Sequence, residues 1–247
     1  MPQLSTLRNL ISPARCAACG DLLHPCTPRA EVLCPLCRTG WEAAVAEASE
    51  QAAQDASRGL VYLTFYHSGR TDGVPERLIY HLKHNGNPRA FRFVAQRLAV
   101  RLTETLPDLP TRYPDCDPGR GGEAPPLPLF TYPPRRPAAI RRDGFDQAER
   151  LAKALAAACG GEHARLICRT RRPAREQKNL DAEARAANAS ASYRLTRRAT
   201  ALVRGRVAVL CDDVCTTGAT LESCARLLVD AGASLVVLVT VARTHFT

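Results

Sequence analysis

No stretch of the 247-residue sequence approaches the roughly 18 consecutive apolar residues that a membrane-spanning helix needs. The opening "MPQLSTLRNLISPARC" has an apolar stretch too short for a secretory signal, and Arg8 breaks it. A cytoplasmic protein is expected. Internal repeats are lacking, and so is the composition of a disordered chain, since 45% of residues are hydrophobic and 23% charged. The length suffices for one full α/β core with a small appended module.

Lysine is scarce: three stand beside 31 arginines. The positive excess is uneven. Residues 1–127 carry 14 basic and 13 acidic side chains, whereas residues 128–247 carry 20 and 11, so +9 of the net +10 lies in the second part. The partner of that part is expected to be anionic, either the phosphates of a small ligand or a nucleic-acid backbone. A genome that writes Arg wherever a cation is tolerated would leave the same excess.

Eleven cysteines, an odd number, argue against a disulfide framework. Five crowd into residues 16–37. "CAACGDLLHPCTPRAEVLCPLC" contains two Cys-x-x-Cys pairs, Cys16/Cys19 and Cys34/Cys37, with 14 residues between them. Each pair makes a tight knuckle that presents two thiolates to one ion, and the two together give the tetrahedral sulfur set of structural Zn²⁺. Cys26 and His24 read as bystanders. The expected organisation is a zinc ribbon with a linking helix over residues 1–57 and a larger unit over residues 58–247.

Along the chain, helix formers fill 41–57 and "LVYLTFYH" (60–67) reads as a strand. Two helices follow: Pro75 opens the first, Gly86 stops it and Pro88 opens the second. Lys83 falls in the last turn of the first, where a cation complements the helix dipole. Residues 106–126 are dense in Pro and Gly and read as a loop. Then come a strand "LPLFTY", a helix "FDQAERLAKALAAA", a strand "ARLICRTR", a loop-to-helix stretch "RPAREQKNLDAEARAANA", a strand "RVAVLCD", a helix "TLESCARLLVDAG" and a strand "SLVVLVTVA". Alternating strands and helices with near-continuous Val/Leu strands predict an α/β fold, a parallel sheet covered by helices on both faces.

The most informative stretch is "VAVLCDDVCTTGATL" (207–221). An apolar strand delivers Asp212 and Asp213 to the carboxyl edge of the sheet, where ligands of open α/β sheets bind. "CTTGAT" then opens a helix whose first N–H groups are unpaired. A phosphate fits there, held by backbone N–H groups from Thr216 through Thr220, including Ala219, and by the hydroxyls of Thr216, Thr217 and Thr220. Gly218 lets the backbone approach the anion. The Gly-Lys-Ser/Thr ending of a triphosphate P-loop is absent. Carboxylates beside a phosphate site suit a sugar phosphate, whose hydroxyls they accept.

This stretch resembles the phosphoribosyl pyrophosphate (PRPP) motif of type I phosphoribosyltransferases. With the four-cysteine ribbon, "LIYHLKHNG", "RRDGFDQAERLA" and "RTRRPAREQKNLDAEARAAN", the chain resembles the ComF family of competence-associated, phosphoribosyltransferase-like proteins. The resemblance implies a phosphoribosyltransferase-like sheet, PRPP with Mg²⁺ at Asp212, Asp213, Thr216–Thr220 and Lys83, and a role in uptake and handling of transforming single-stranded DNA. It also implies a competence ATPase or translocase and recombination loaders as partners. The family usually writes Arg-Gly-Phe-Asn-Gln where this chain has Asp143-Gly144-Phe145-Asp146-Gln147. Purine-salvage relatives place a base-contacting acid where Thr216 stands, which argues against salvage of 6-oxopurines.

Two function classes stay open. A transferase would displace pyrophosphate from C1 of PRPP by a nitrogen nucleophile, with Asp212, Asp213 and Arg172 as catalytic candidates and Arg169, Arg175 and Lys178 as further cations. A DNA-handling module would use the clusters Arg135, Arg136, Arg141, Arg142 and Arg169, Arg171, Arg172, Arg175 on the strand, with Phe145 and Tyr132 as possible stacking rings.

Overall fold

Proline opens four of the seven helices among the described residues. The computed structural model describes residues 14–24, 27–28, 31–107, 126–170 and 192–245. Helix α1 (Pro35–Ala56), α2 (Val74–His84), α3 (Pro88–Thr105) and α4 (Pro137–Asp143) each carry Pro at one of their first two positions, where its missing N–H costs nothing. Helix α5 (Gln147–Cys159) instead begins on an Asp146 cap, whose carboxylate accepts from Ala148 N. Helices α6 (Ala199–Val203) and α7 (Ala219–Asp230) complete the set among the described residues.

The strands are β1 (Leu60–Val61), β2 (Thr64–Tyr66), β3 (Leu129–Thr131), β4 (Glu162–His163), β5 (Ile167–Arg169), β6 (Tyr193–Leu195), β7 (Val207–Cys215) and β8 (Leu235–Thr244). The main sheet is parallel throughout, in the order β1–β8–β7–β3–β4, with β2 also on β8. β1 and β2 keep one register against β8, so they are one edge strand with a two-residue interruption. The expected strand over 164–171 is a correction. Among the described residues Ile167–Arg169 is the strand there, and it pairs antiparallel with β6 in a separate two-stranded sheet. Only Ile167 of its three residues is buried, while Cys168 and Arg169 are partly exposed, which suits a half-exposed ribbon and not a strand buried on both faces.

Each sheet face has its own core. On one side Val209, Cys211, Val237 and Val239 pack with α3 and α5 residues such as Phe91, Leu98, Leu151 and Leu155. On the other, Ala208 and Leu210 pack with Leu221, Cys224 and Leu228 of α7 and with Tyr193. The first core continues into the cysteine module, taking in Cys16, Leu33, Cys37 and Trp41. Trp41 meets the Phe93 ring edge-on at 5.8 Å.

This layering creates a topological switch. β3 and β7 are neighbours, but the crossover leaving β3 runs over the α5 face and the one leaving β7 over the α7 face. Their carboxyl ends therefore part around a crevice, the usual ligand position in such sheets.

Candidate functional site

Near its carboxyl end in that crevice strand β7 carries Asp212 and Asp213, which successive alternation sends to opposite sides of the sheet. Asp213, 8% exposed, looks to the α2/α5 side: its Oδ2 accepts from Gln147 Nε2 at 3.1 Å and lies 3.4 Å from Lys83 Nζ. Asp212 lies on the α7 side, where its charge raises the pKa of Tyr193 and Cys224 behind the larger effect of their burial. Each carboxylate also caps the backbone that follows it, Asp212 Oδ1 accepting from Asp213 N at 2.8 Å and Asp213 Oδ1 from Val214 N at 2.7 Å.

Burial, and then the neighbouring Asp213, push the Asp212 carboxyl well above the usual range. A cation beside Asp212 would favour its charged form, and a hard carboxylate oxygen suits Mg²⁺.

After the acids the backbone turns at Gly218, whose φ of +77° is in the left-handed region that a side chain would strain. Space is not the constraint there, because a Cβ would meet only Glu222 Oε1 at 3.7 Å and Cys215 Sγ at 3.9 Å. Gly218 caps α7 without a side-chain hydrogen bond, and Thr216 and Thr217 are exposed beside it. The loop thus presents free N–H groups, hydroxyls and the positive end of the α7 dipole to the crevice.

Lys83 gains a second role. Its place in the last turn of α2 suits the dipole, but its ammonium reaches across to Asp213 and stands 5.8 Å over the Tyr66 ring. Gly86, at φ +59°, ends the following turn, and its carbonyl accepts from Nη1 of Arg150, whose Cζ lies over the Phe145 ring at 4.1 Å. Phe145 therefore packs, meeting the Phe91 ring at 6.4 Å, and Tyr132 is buried against His163. Neither ring is placed to stack a base.

The arginines divide. Arg169 Nη1 donates to Tyr193 Oη at 2.9 Å and to the Pro134 carbonyl at 3.3 Å, which holds the side chain beside the loop that leaves β3. Arg135 and Arg142 both pair with Asp143 at 2.9 Å. Arg136, at the N-cap of α4, and Arg141, in its last turn, are exposed. Arg171, Arg172, Arg175 and Lys178 lie outside the described residues, as do Cys26 and most of the 106–126 loop.

Sequence reasoning missed Gln147, Asp143 and Asp146 as site residues. The Asp146 cap was readable from its place before a helix; the reach of Gln147 to Asp213 depends on the crossover and had no local signal.

The second candidate site is the cysteine cluster. The Sγ atoms of Cys16, Cys19, Cys34 and Cys37 all lie within 4.8 Å of one another, and those of Cys19 and Cys34 are 3.8 Å apart. A tetrahedral ion with bonds of about 2.3 Å would space its sulfurs by about 3.8 Å. The four thiols can hold a metal such as zinc. Burial raises Cys16, but hydrogen bonds from the backbone at Cys19, Cys34 and Ala18 outweigh it and bring that thiol to about 7, whereas burial raises Cys19 and pushes Cys37 up to about 11.

Residues 138–245, from α4 to the end of β8, match the family model described as "Phosphoribosyl transferase domain". No curated protein matches the chain. Similar solved structures include the allosteric regulatory enzyme of purine biosynthesis, with a TM-score of 0.36, 15% identity, and coverage of 66% of this chain and 30% of that one. A glutamic acid mutant from an analysis of an invariant aspartic acid in HPRTs aligns with a TM-score of 0.35 and 15% identity, over 61% of this chain and 65% of that one. The chain thus spans less than two thirds of the length of either structure. It is an α/β protein with a phosphoribosyltransferase-like parallel sheet and a four-cysteine cluster near its N-terminus. No helix among the described residues is long and apolar enough to cross a membrane.

Proposed function

We propose that the chain binds PRPP with Mg²⁺ at the carboxyl end of β7, and that it is a ComF-type protein that handles single-stranded DNA. The observation that carries the first part is the junction of Asp212 and Asp213 with the uncapped, left-handed entry to α7 at the switch between β3 and β7. The loop N–H groups and threonine hydroxyls hold the 5-phosphate, and the carboxylates accept the ribose hydroxyls. Mg²⁺ neutralises the diphosphate when bound. Lys83 and Gln147 keep the Asp213 carboxylate oriented. Cys16, Cys19, Cys34 and Cys37 hold one structural Zn²⁺ that ties the N-terminal module to the core.

The DNA part rests on the family resemblance and on the exposed Arg136, at the N-cap of α4, and Arg141, in its last turn, which add to the basic excess of this half. A melting series with PRPP and Mg²⁺, and anisotropy of a labelled single-stranded oligonucleotide across a salt series, test the two parts separately. Arg136→Ala with Arg141→Ala should reduce the log–log salt slope by about 1.4, two phosphates at about 0.7 each. Binding that ignores salt removes the DNA part and leaves the sugar-phosphate site standing.

One observation favours catalysis as a second reading. Arg169, fixed between Pro134 and Tyr193, offers a cation where a leaving diphosphate would develop charge. Release of pyrophosphate from PRPP on addition of nitrogen nucleophiles would establish that reading.

A further inference from the structure

Four ionisable side chains converge on one point next to the crevice. The Asp143 carboxylate accepts from Arg135 Nη1 at 2.9 Å and from Arg142 Nε and Nη2 at 2.9 and 3.1 Å. His84 Nδ1 stands 3.7 Å from the same carboxylate. The Asp143 side chain is 6% exposed, so the acid is enclosed by cations and not merely flanked by them. The Arg142 and Arg135 guanidiniums hold its carboxyl well below the usual range against the opposing effect of burial. Two permanent positive charges around one carboxylate form a cradle with more positive charge than its own acid neutralises.

The position of this cradle gives it a role. Along α2, neighbouring residues link it to the crevice: Lys83 reaches Asp213 and His84 reaches Asp143. On the other side, Asp146 and Gln147 follow Asp143 closely. Asp146 Oδ2 accepts from Arg135 N at 2.8 Å, and Gln147 Nε2 donates to Asp213. Arg135 lies on the segment leaving β3, the strand beside β7. A ligand with its 5-phosphate on the β7–α7 loop and its ribose on Asp212 and Asp213 would extend its C1 substituent toward that segment.

We propose that Asp143 sets the ligand selectivity of the crevice: its carboxylate occupies the cradle of Arg135, Arg142 and His84, and so selects against a diphosphate at C1 relative to a sugar monophosphate. This inference rests on the PRPP reading of the β7–α7 site. Removing the negative charge while keeping the side-chain shape frees two guanidiniums for a second anion and removes the like charge that the diphosphate meets.

The test is calorimetry of wild type and Asp143→Asn with PRPP plus Mg²⁺ and, separately, with ribose 5-phosphate. Asp143→Asn should raise the PRPP affinity roughly tenfold and leave the ribose 5-phosphate affinity unchanged. Adding Arg142→Gln, an exposed position, to Asp143→Asn should return the ratio of the two affinities toward the wild-type value. Melting curves of each variant report whether the α4 segment still folds, and the double variant separates charge from loosened packing. An unchanged or lowered PRPP-to-ribose-5-phosphate ratio in Asp143→Asn overturns the selectivity role while leaving the PRPP site intact. Absence of heat with both ligands in both proteins overturns the PRPP reading, and this inference with it.

Discussion

Lys83 Nζ lies 3.4 Å from Asp213 Oδ2, joining the last turn of α2 to the end of β7. Asp213 is otherwise held by Gln147 and by its own bond to Val214 N, so Lys83 is its one cationic partner in a salt bridge among the described residues. Lys83→Met leaves that nearly buried carboxylate without a counter-charge. The unfolding free energy should fall by about 1 kcal/mol, since the ammonium is partly solvated and its pairing is discounted accordingly. A urea titration measures it; an unchanged midpoint would assign Lys83 to the helix dipole alone.

The protein's single tryptophan reports on the cysteine cluster. Trp41 is 1% exposed, follows Cys37 by one helical turn and shares a core with Cys16 and Phe93. Purified protein should carry about one Zn²⁺ per chain. Chelation should lower the melting temperature and shift Trp41 emission to the red as the module loosens. Metal-free protein with unchanged emission and melting would separate the cluster from the fold.

Gly86 should not tolerate alanine. Its φ is +59°, and a Cβ would stand 2.5 Å from Arg150 Nη1 and 2.9 Å from the Phe145 ring. Strain and displaced packing together predict a loss of roughly 1–3 kcal/mol for Gly86→Ala. Chemical denaturation checks this, and a neutral result would mean that the α2–α3 turn can relax.

Acid should weaken the tie between α1 and the sheet edge. Burial raises the Asp55 carboxyl, but the Arg243 guanidinium and the Tyr62 hydroxyl, bonded to Asp55 Oδ2, outweigh it and depress the pKa. A depressed folded pKa gives stability that is full above the unfolded value of about 3.9 and is lost as pH falls through the folded value. Stability measured from pH 6 to pH 2.5 should therefore fall less steeply in Asp55→Asn than in wild type. Parallel curves would show that Asp55 is not part of the acid response.

Much of this architecture is legible in the sequence, for local reasons. The Val/Leu runs of β7 and β8, the prolines at helix starts, the paired cysteines and the Thr-Thr-Gly turn each signal through neighbouring residues. What stayed hidden depends on crossovers. Nothing near Lys83 marks Asp213 as its partner, and nothing in "RRDGFDQ" tells that Asp143 gathers Arg135, Arg142 and His84, or that Gln147 ends on Asp213. The strand read at 164–171 is present as Ile167–Arg169, but its partner, β6 and not the main sheet, was hidden for the same reason.

The central claim is that the end of β7 and the entry to α7 bind a phosphoribosyl group. Calorimetry with PRPP and Mg²⁺ on wild type and Asp212→Asn tests it most directly. The Asp212 carboxyl is raised by burial and by Asp213, so its ionised form costs stability as pH rises through the raised pKa, and the neutral variant should melt no lower than wild type at pH 7. Wild type should bind one PRPP per chain, and Asp212→Asn should bind it at least roughly tenfold more weakly. No heat with wild type, or equal affinity in the two proteins, would contradict the claim.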